Sequence, residues 1–453
     1  MPALLWFRRD LRLADNVALL AALANGPVVP LFVLDDESPQ WQGRDYRIGA
    51  AQRWWLHRGL AALNRSLGGK LVLRRGRAAD VVVAVAGEIG ASAIHATRLY
   101  EPWEIATEEA LGNRLTLHDG DTLVPPSEVR TASGQSYKIY GPFWRRLSTL
   151  LPPSPPLPTP GAPTIADGPT SERLDAWGLR PTKPDWASKF GFDWTPGEAG
   201  AAAKLEEFAA HAAAYADQRN LPSIEGTSRL SPHLHWGEVS ARQVWHRLDR
   251  RNGSKFLKEL AWRDFSRSAM LAQPDIGWTN GGSRFNRLEW RTGREADADF
   301  AAWTRGRTGF PLVDAGMRQL WTSGWMHNRV RMIVASFLTR HLLIDWRRGE
   351  RWFWDKLVDA DYGNNSLNWQ WVAGTGTDSQ PFNRIMAPIM QSAKFDAAGY
   401  IRRWVPELAH LGDADIHAPA DDQRGCYPLR IVGHAEGRAR ALAALAKLRS
   451  AGE

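Results

Sequence analysis

Five short apolar runs alternate with helical patterns over the first 125 residues or so, and then the alternation stops. "ALLWF", "VVPLFVL", "KLVLRRG", "SAIHAT" and "LTLHDG" read as buried strands. Between them "NVALLAALANG", "RIGAAQRWWLHRGLAALNRSL", "AADVVVAVAGEIG" and "PWEIATEEALGN" read as helices. Parallel strands need long crossover connections, so this order predicts an α/β domain built on a doubly wound parallel sheet. No G-x-G-x-x-G follows the first strand, where "FRRDLRLADN" stands instead. That weakens the ordinary dinucleotide-binding reading of such a domain.

Residues 152–169, "PPSPPLPTPGAPTIADGP", carry eight prolines and predict a semi-rigid, extended connection. Past residue 196 strand runs vanish, and amphipathic patterns such as "GEAGAAAKLEEFAAHAAAYADQR" and "VDAGMRQLWTSGWMHNRVRMIVASFLTRHLLI" predict helices. A chain of 453 residues also exceeds what one core serves. The expected division is an α/β domain over 1–128, a Pro-rich linker over 129–195 and a larger all-α domain over 196–453.

The chain has 57 basic and 49 acidic residues, a formal charge of +8. This suits a polyanion such as nucleic acid, or solubility alone. One cysteine, Cys426, permits no internal disulfide and points to a reducing compartment. "MPALLWFRRDLRL" reaches Arg8 too early for a signal-peptide core, and no apolar run of about 18 residues follows. The expectation is a cytoplasmic protein with no membrane span.

Four stretches could carry chemistry. In "EGTSRLSPHLHWGEVS", Ser231 before Pro232 reads as a helix N-cap, with Thr227 and Ser228 just ahead. Such an end is a plain cap or an anion site. In "FLKELAWRDFSR", Glu259, Trp262 and Arg263 share a helical face, as ligand grip or as an ion pair beside a core indole. In "TSGWMHNRVRM", Trp325, Asn328 and Met332 form one stripe beside Arg331, and burying such polar groups without partners is costly. In "LVDADYGNNSLNWQW", Asp359 and Asp361 could pair with Arg331, or could belong to an exposed turn. Two carboxylates without histidine at ligand spacing make no metal site, and none is expected.

The chain also holds 23 tryptophans, 13 of them from Trp236 to Trp371. Most, such as Trp54, Trp55 and Trp321, are expected in cores. Trp369 and Trp371, two residues apart, face opposite sides of a strand or lie roughly 200° apart on a helix.

These stretches, in this order, resemble the photolyase/cryptochrome family, most nearly its bacterial class I-type cyclobutane pyrimidine dimer photolyases. "LLWFRRDLRLADNVAL", "YKIYGPFWRRL", "EGTSRLSP", "ELAWRDF", "TGFPLVDAGMRQLWTSGWMHNRVRM" and "NWQWVAGTGTD" carry the resemblance over nearly the whole chain. "SLNW" and "QPFNRIMAPIMQ" depart from the usual family runs, as does Phe256, where tryptophan is common. The resemblance implies FAD in the helical domain and a possible second antenna chromophore, a folate, a deazaflavin or another, near Tyr100 and Glu101. Tyr215, Thr227, Ser228, Arg229, Leu230 and Ser231 would embrace the diphosphate. Phe256, Glu259 and Arg263 would line the cavity. Asn328 and Arg331 would face the flavin, Asp359 would pair with Arg331, Asp361 would accept from the isoalloxazine edge, and Asn365 would sit against N5.

The implied activity is light-driven. Excited reduced flavin passes an electron to a pyrimidine dimer in UV-damaged DNA, the ring splits, and the electron returns. Trp262 and Trp371 would wall the flipped lesion. Glu259, Asn328 and Met332 would contact it, and Arg219 and Arg329 would hold phosphates. Trp369, Trp346 and Trp290 would carry electrons to oxidised flavin. The alternatives are a (6-4) photolyase, which needs a histidine proton donor where only His327 stands, and a cryptochrome-type photoreceptor without repair activity. Asn365 favours repair over signalling, and only about 40 residues follow "YIRRWVPELAHL", with no long signalling tail. A monomer is expected.

Overall fold

The computed structural model describes residues 1–24, 26–248, 250–377 and 385–450. Contacts group the chain into two compact units. One is Met1–Ala213 with Ser228–Pro274, and the other is Ala214–Thr227 with Asp275–Glu453. These cuts do not follow the boundaries at 128 and 195.

The first unit carries β1 (Ala3–Phe7), α1 (Val17–Ala24), β2 (Val28–Leu34), the small hairpin β3 (Gln40–Trp41) and β4 (Arg44–Asp45), and α2 (Ala50–Ser66). Then come β5 (Val72–Arg75), α3 (Ala78–Glu88), β6 (Ile94–Thr97), α4 (Pro102–Leu111) and β7 (Leu115–His118). The five long strands pair in parallel in the order β5-β2-β1-β6-β7, with Leu5 opposite both Pro30 and His95. The chain therefore winds outward in both directions from β1, and all five expected strands are present. β1 and β2 are buried throughout, as a sheet covered on both faces requires. On one side Leu4, Trp6, Val29, Leu31 and Val72 pack with Val82 and Val85 of α3.

The Pro-rich segment is extended, as expected, but it is not a free spacer. Asp15 N donates to Leu157 O at 3.1 Å, and Leu157 N donates to Asp15 Oδ1 at 2.9 Å. Further along, Val28 N donates to Thr164 O and Ala166 N donates to Val28 O. A segment with few N–H donors still offers its carbonyls, and β2 uses them. The longer or site-bearing helices that follow are α5 (Tyr140–Ser148), α6 (Glu198–His211), α7 (Ser231–His235) and α8 (Arg250–Ala272).

The second unit is helical, and its described residues contain no strand. Its main helices are α9 (Pro311–Ser323), α10 (Asn328–Ser336), α11 (Trp346–Lys356), α12 (Tyr362–Ala373) and α13 (His434–Ser450). The "TGFPLVD" run ahead of α9 owes its shape to Asp314. This fully buried carboxylate accepts from Thr308 N and Thr308 Oγ1 at 2.7 Å, from Gly309 N at 3.0 Å, and from the Tyr427 hydroxyl. No described helix is long and apolar enough to cross a membrane.

Three sequence expectations need correction here. Gly324, at φ 66°, takes the left-handed conformation that ends α9, so Trp325 lies in the link between α9 and α10 and not on a helical stripe with Asn328 and Met332. Ser231 is the first residue of α7 and not its cap. Leu230 occupies the cap position, and Ser228 Oγ accepts from Leu230 N at 3.3 Å. Trp54 and Trp55 are core residues, but Trp321 is exposed, with the Lys356 ammonium 5.2 Å from its ring. The departing "QPFNR" run lies outside the described residues.

Candidate functional site

The expected site residues fall in both units. In the first unit, α8 presents Phe256, Glu259, Trp262 and Arg263 at the anticipated helical spacing. Phe256 is buried against Phe208 of α6, with ring centroids 4.6 Å apart. Arg263 pairs with Asp121 and donates to Leu234 O at 3.3 Å. Burial alone would raise the Asp121 carboxyl, but Arg263 and Arg267 outweigh it and hold it well below the usual carboxylate range. Its neighbour Asp264 has a different fate. It accepts from Leu123 N at 2.9 Å and Val124 N at 3.3 Å, and burial pushes it up to about 7.

Ahead of α7, Arg229 adopts φ 50°, unusual for a residue with a side chain, and lays its guanidinium 4.4 Å from the Trp194 ring centroid. Leu230 is fully buried. Ser228 and Ser231 supply hydroxyls on either side. The antenna pair is engaged within the protein: Tyr100 donates its hydroxyl to Asp119 at 3.2 Å, and Glu101 pairs with Arg9.

In the second unit, Tyr215 is buried with Arg219 over its ring at 5.7 Å, and Thr227 is half-buried. Asn328 opens α10 and is exposed. One turn on, Arg331 donates to Asp359 Oδ2 at 2.9 Å and to Met326 O at 2.8 Å. The expected Arg331–Asp359 pair is thus formed. Arg329 donates to Asn220 Oδ1 at 2.7 Å and approaches Met332 Sδ at 3.6 Å. The "DADYGNN" run is no exposed turn: Asp359 and Asp361 are buried, and Asp361 caps α12 by accepting from Asn364 N at 2.8 Å.

Asn365 Nδ2 donates to Glu350 Oε1 at 2.9 Å and to Glu350 O at 3.1 Å. Its Oδ1 has no protein partner among the described residues. Glu350 is fully buried and accepts also from Ser366 Oγ at 3.3 Å, and burial pushes its carboxyl up to about 7. His327 is buried and held at about 4 by that burial and by Arg329, Arg331 and Arg219. Its Nδ1 accepts from Arg329 N at 3.2 Å.

α12 settles the strand-or-helix question for "LNWQWVAG". Trp369 is 3% exposed and Trp371 is 36% exposed. Between them Gln370 is buried, donating to Ile276 O at 2.7 Å and Thr279 O at 3.0 Å and accepting from Gly281 N at 2.9 Å. Trp369 packs closely against α11 because Gly349 has no side chain: a Cβ there would fall 2.2 Å from the indole. Trp369 also packs edge-on to Phe353 and Trp303. Trp346 is fully buried and donates to Asn280 Oδ1 at 3.0 Å, while Trp290 is partly exposed beside Leu288 and Leu445.

Sequence reasoning missed Glu350, Asp264 and Gly349. The spacing of Glu350 and Asn365 gives no signal, since the two meet only when α11 packs on α12. Gly349 could have been found as a glycine inside the strongly amphipathic run "WRRGERWFW", where only a close neighbour justifies its cost.

The donor set fits FAD. Asn365 offers an amide oxygen, without a partner among the described residues, to an N–H such as that of reduced flavin N5. Within the second unit, Arg331, Asp359 and Asp361 supply charges an isoalloxazine edge can use; within the first, Ser228, Ser231 and Arg229 supply hydroxyls and a cation suited to phosphate oxygens.

An α/β unit of this topology, and a helical unit that carries Arg331, Asp359, Asp361 and Asn365, fit a flavoprotein of two-part architecture. Residues 3–161 match the family model of DNA photolyase, and residues 256–447 match that of the FAD binding domain of DNA photolyase. The deoxyribodipyrimidine photo-lyase of Agrobacterium fabrum is 45% identical, covering 99% of this chain and 98% of its own. The crystal structure of a bacterial class III photolyase from Agrobacterium tumefaciens superposes with a TM-score of 0.92 at 45% identity, covering 99% of this chain and 98% of that one. An archaeal photolyase from Sulfolobus tokodaii with two FAD molecules gives 0.84 at 28% identity, covering 99% and 100%. The chain belongs to the DNA photolyase family and is an FAD-binding enzyme of that family. The class I-type expectation is not supported, since the similar Agrobacterium structure is described as class III.

Proposed function

We propose that this enzyme repairs cyclobutane pyrimidine dimers in DNA under blue light, as a cytoplasmic monomer. The observation that carries the reading is the split on α12, where one indole is buried and the next is held out at the surface. Bound reduced FAD supplies the chemistry, a light-driven loan of one electron to the dimer, returned after the ring has split.

The protein binds, orients and excludes water. Asn365, clamped by Glu350, would hold the flavin through its amide oxygen as acceptor for N5–H. Arg331, paired with Asp359, and Asp361 would hold its ring edge, Asp361 as acceptor. Tyr215, Thr227, Ser228, Arg229, Leu230 and Ser231 hold the diphosphate side, and Phe256, Glu259 and Arg263 line the cavity. Trp262 and Trp371 wall the flipped lesion; Glu259, Asn328 and Met332 contact its bases. Arg219 and Arg329 grip phosphates, which makes affinity fall with salt. Trp369, Trp346 and Trp290 carry electrons when the flavin is oxidised. The division at 128 and 195 is retained as a functional one, with any antenna chromophore on 1–128.

The (6-4) reading is disfavoured by His327. It is neutral above about pH 4 and spends Nδ1 on capping α10, so it is a poor proton donor to a lesion. The test is UV-irradiated oligothymidine with reduced enzyme, in blue light and in darkness. Dimer content is expected to fall only in the light. Loss of (6-4) products instead, or no light-dependent loss of either, overturns the proposal.

A further inference from the structure

We propose that Tyr140 is a positioning residue for the lesion wall, fixing the plane of Trp262 before DNA arrives. This rests on the reading of Trp262 as a lesion wall. Tyr140 opens α5, in the "YKIYGPFWRRL" run, far from α8 in sequence. Its ring lies 3.7 Å from that of Trp262, tilted by only 5°. Among the described residues no other aromatic contact of Trp262 is so close or so parallel: Phe265 meets it edge-on at 5.5 Å.

The geometry has two anchors. The Tyr140 hydroxyl donates to Lys258 O at 2.7 Å, one helical turn ahead of Trp262 on α8. Tyr140 is therefore tied to the backbone of the helix whose indole it covers, and ring and helix hold one relative orientation. Phe143 and Phe265 close the inner side, each within about 6.5 Å of Tyr140 and both buried. Trp144 continues the stack outward at 6.5 Å and 18°, with the Lys258 ammonium 6.0 Å from its ring. Trp262 is nevertheless 38% exposed. Stacking on Tyr140 thus coexists with substantial exposure of the same side chain.

An exposed tryptophan that must meet a flipped base would otherwise lose rotamer freedom on binding. A wall already held in one plane loses less, so affinity rises without any new contact to DNA. The burial that accompanies this stack, with Glu259 and Asp264 nearby, also pushes the Tyr140 hydroxyl above its ordinary range, so it remains a donor at all working pH values.

The test compares Tyr140→Ala, Tyr140→Phe and Trp262→Ala in the full-length holoenzyme. Dissociation constants are read for oligothymidine carrying one dimer and for the undamaged oligomer. An aromatic pair of this kind predicts roughly a twofold to tenfold loss of lesion affinity for Tyr140→Ala. Undamaged-DNA affinity, flavin absorbance and the rate of photoreduction should be unchanged. Tyr140→Phe keeps the stack and should restore most of the loss. In the Trp262→Ala background, Tyr140→Ala should cost nothing more. If Trp262→Ala weakens lesion binding and Tyr140→Ala does not, the positioning role is wrong and the wall reading stands. An equal loss for undamaged DNA, or an additive double variant, also overturns it. If Trp262→Ala itself has no effect, the wall reading fails with it.

Discussion

Trp371→Ala is expected to weaken binding of dimer-containing DNA by roughly fivefold to a hundredfold, the range that about 1–3 kcal/mol of base stacking implies. Photoreduction of oxidised flavin should proceed at the wild-type rate. Trp369→Phe should do the reverse, slowing photoreduction while chemically reduced enzyme repairs dimers normally. The separation follows from α12. Trp369 is packed on Gly349 and Phe353, and Trp371 emerges about 200° around the helix, 36% exposed. Gln370 fixes both directions at once, because its three hydrogen bonds to 276–281 pin the rotation of the helix about its axis. Steady-state repair against dimer concentration separates the two effects. Trp371→Ala should appear in the concentration for half-maximal rate, and Trp369→Phe should leave that curve unchanged in pre-reduced enzyme. If both substitutions impair both assays alike, the indoles form one cluster and the division of labour is wrong.

The α/β half was legible because a parallel sheet writes itself into sequence as repeated apolar runs with helix-length gaps, and every run quoted became a strand. The helical half was legible only as helices. Which residues meet there is set by packing between elements, and periodicity cannot reveal that. The pairing of Arg331 with Asp359, 28 residues apart, is one of two readings open from the residues, chosen by the family resemblance, while nothing in the sequence pairs Glu350 with Asn365. Errors came where one residue stops a pattern: Gly324 breaks a stripe that otherwise reads as continuous helix, and Trp321 fits an apolar register while lying on the solvent side. The compact units divide the chain inside "EGTSRL", between Thr227 and Ser228. No change of composition marks that point, so no reading of linkers could have found it.

Glu350→Gln is expected to change the pH dependence of stability more than any other single substitution near Asn365. Glu350 is fully buried, and its carboxyl is pushed from 4.5 up to about 7. A raised carboxyl keeps its proton in the folded protein after the unfolded chain has lost it. The folded state then binds more protons, so stability is fully present below about pH 4.5 and is lost as pH rises through 7. At about 1.4 kcal/mol per pH unit, that loss is on the order of 3 kcal/mol. Asp264, also near 7, adds a loss in the same window, whereas buried His327 and His341, both near 4, make stability rise from about pH 4 to 6.5. The absolute profile therefore mixes opposing groups, and the informative quantity is the difference between variant and wild type. Glutamine keeps an acceptor for Asn365 Nδ2 and Ser366 Oγ and removes only the titration. The variant should gain on wild type progressively between pH 5 and 8 in urea unfolding. The infrared band of a protonated carboxyl, present in wild type at pH 6 and fading by pH 8, should be diminished in the variant by one group. A constant difference between variant and wild type across that range would mean that Glu350 is already ionised at pH 5. The Asn365 amide would then be held by a full charge and not by a proton-sharing acid.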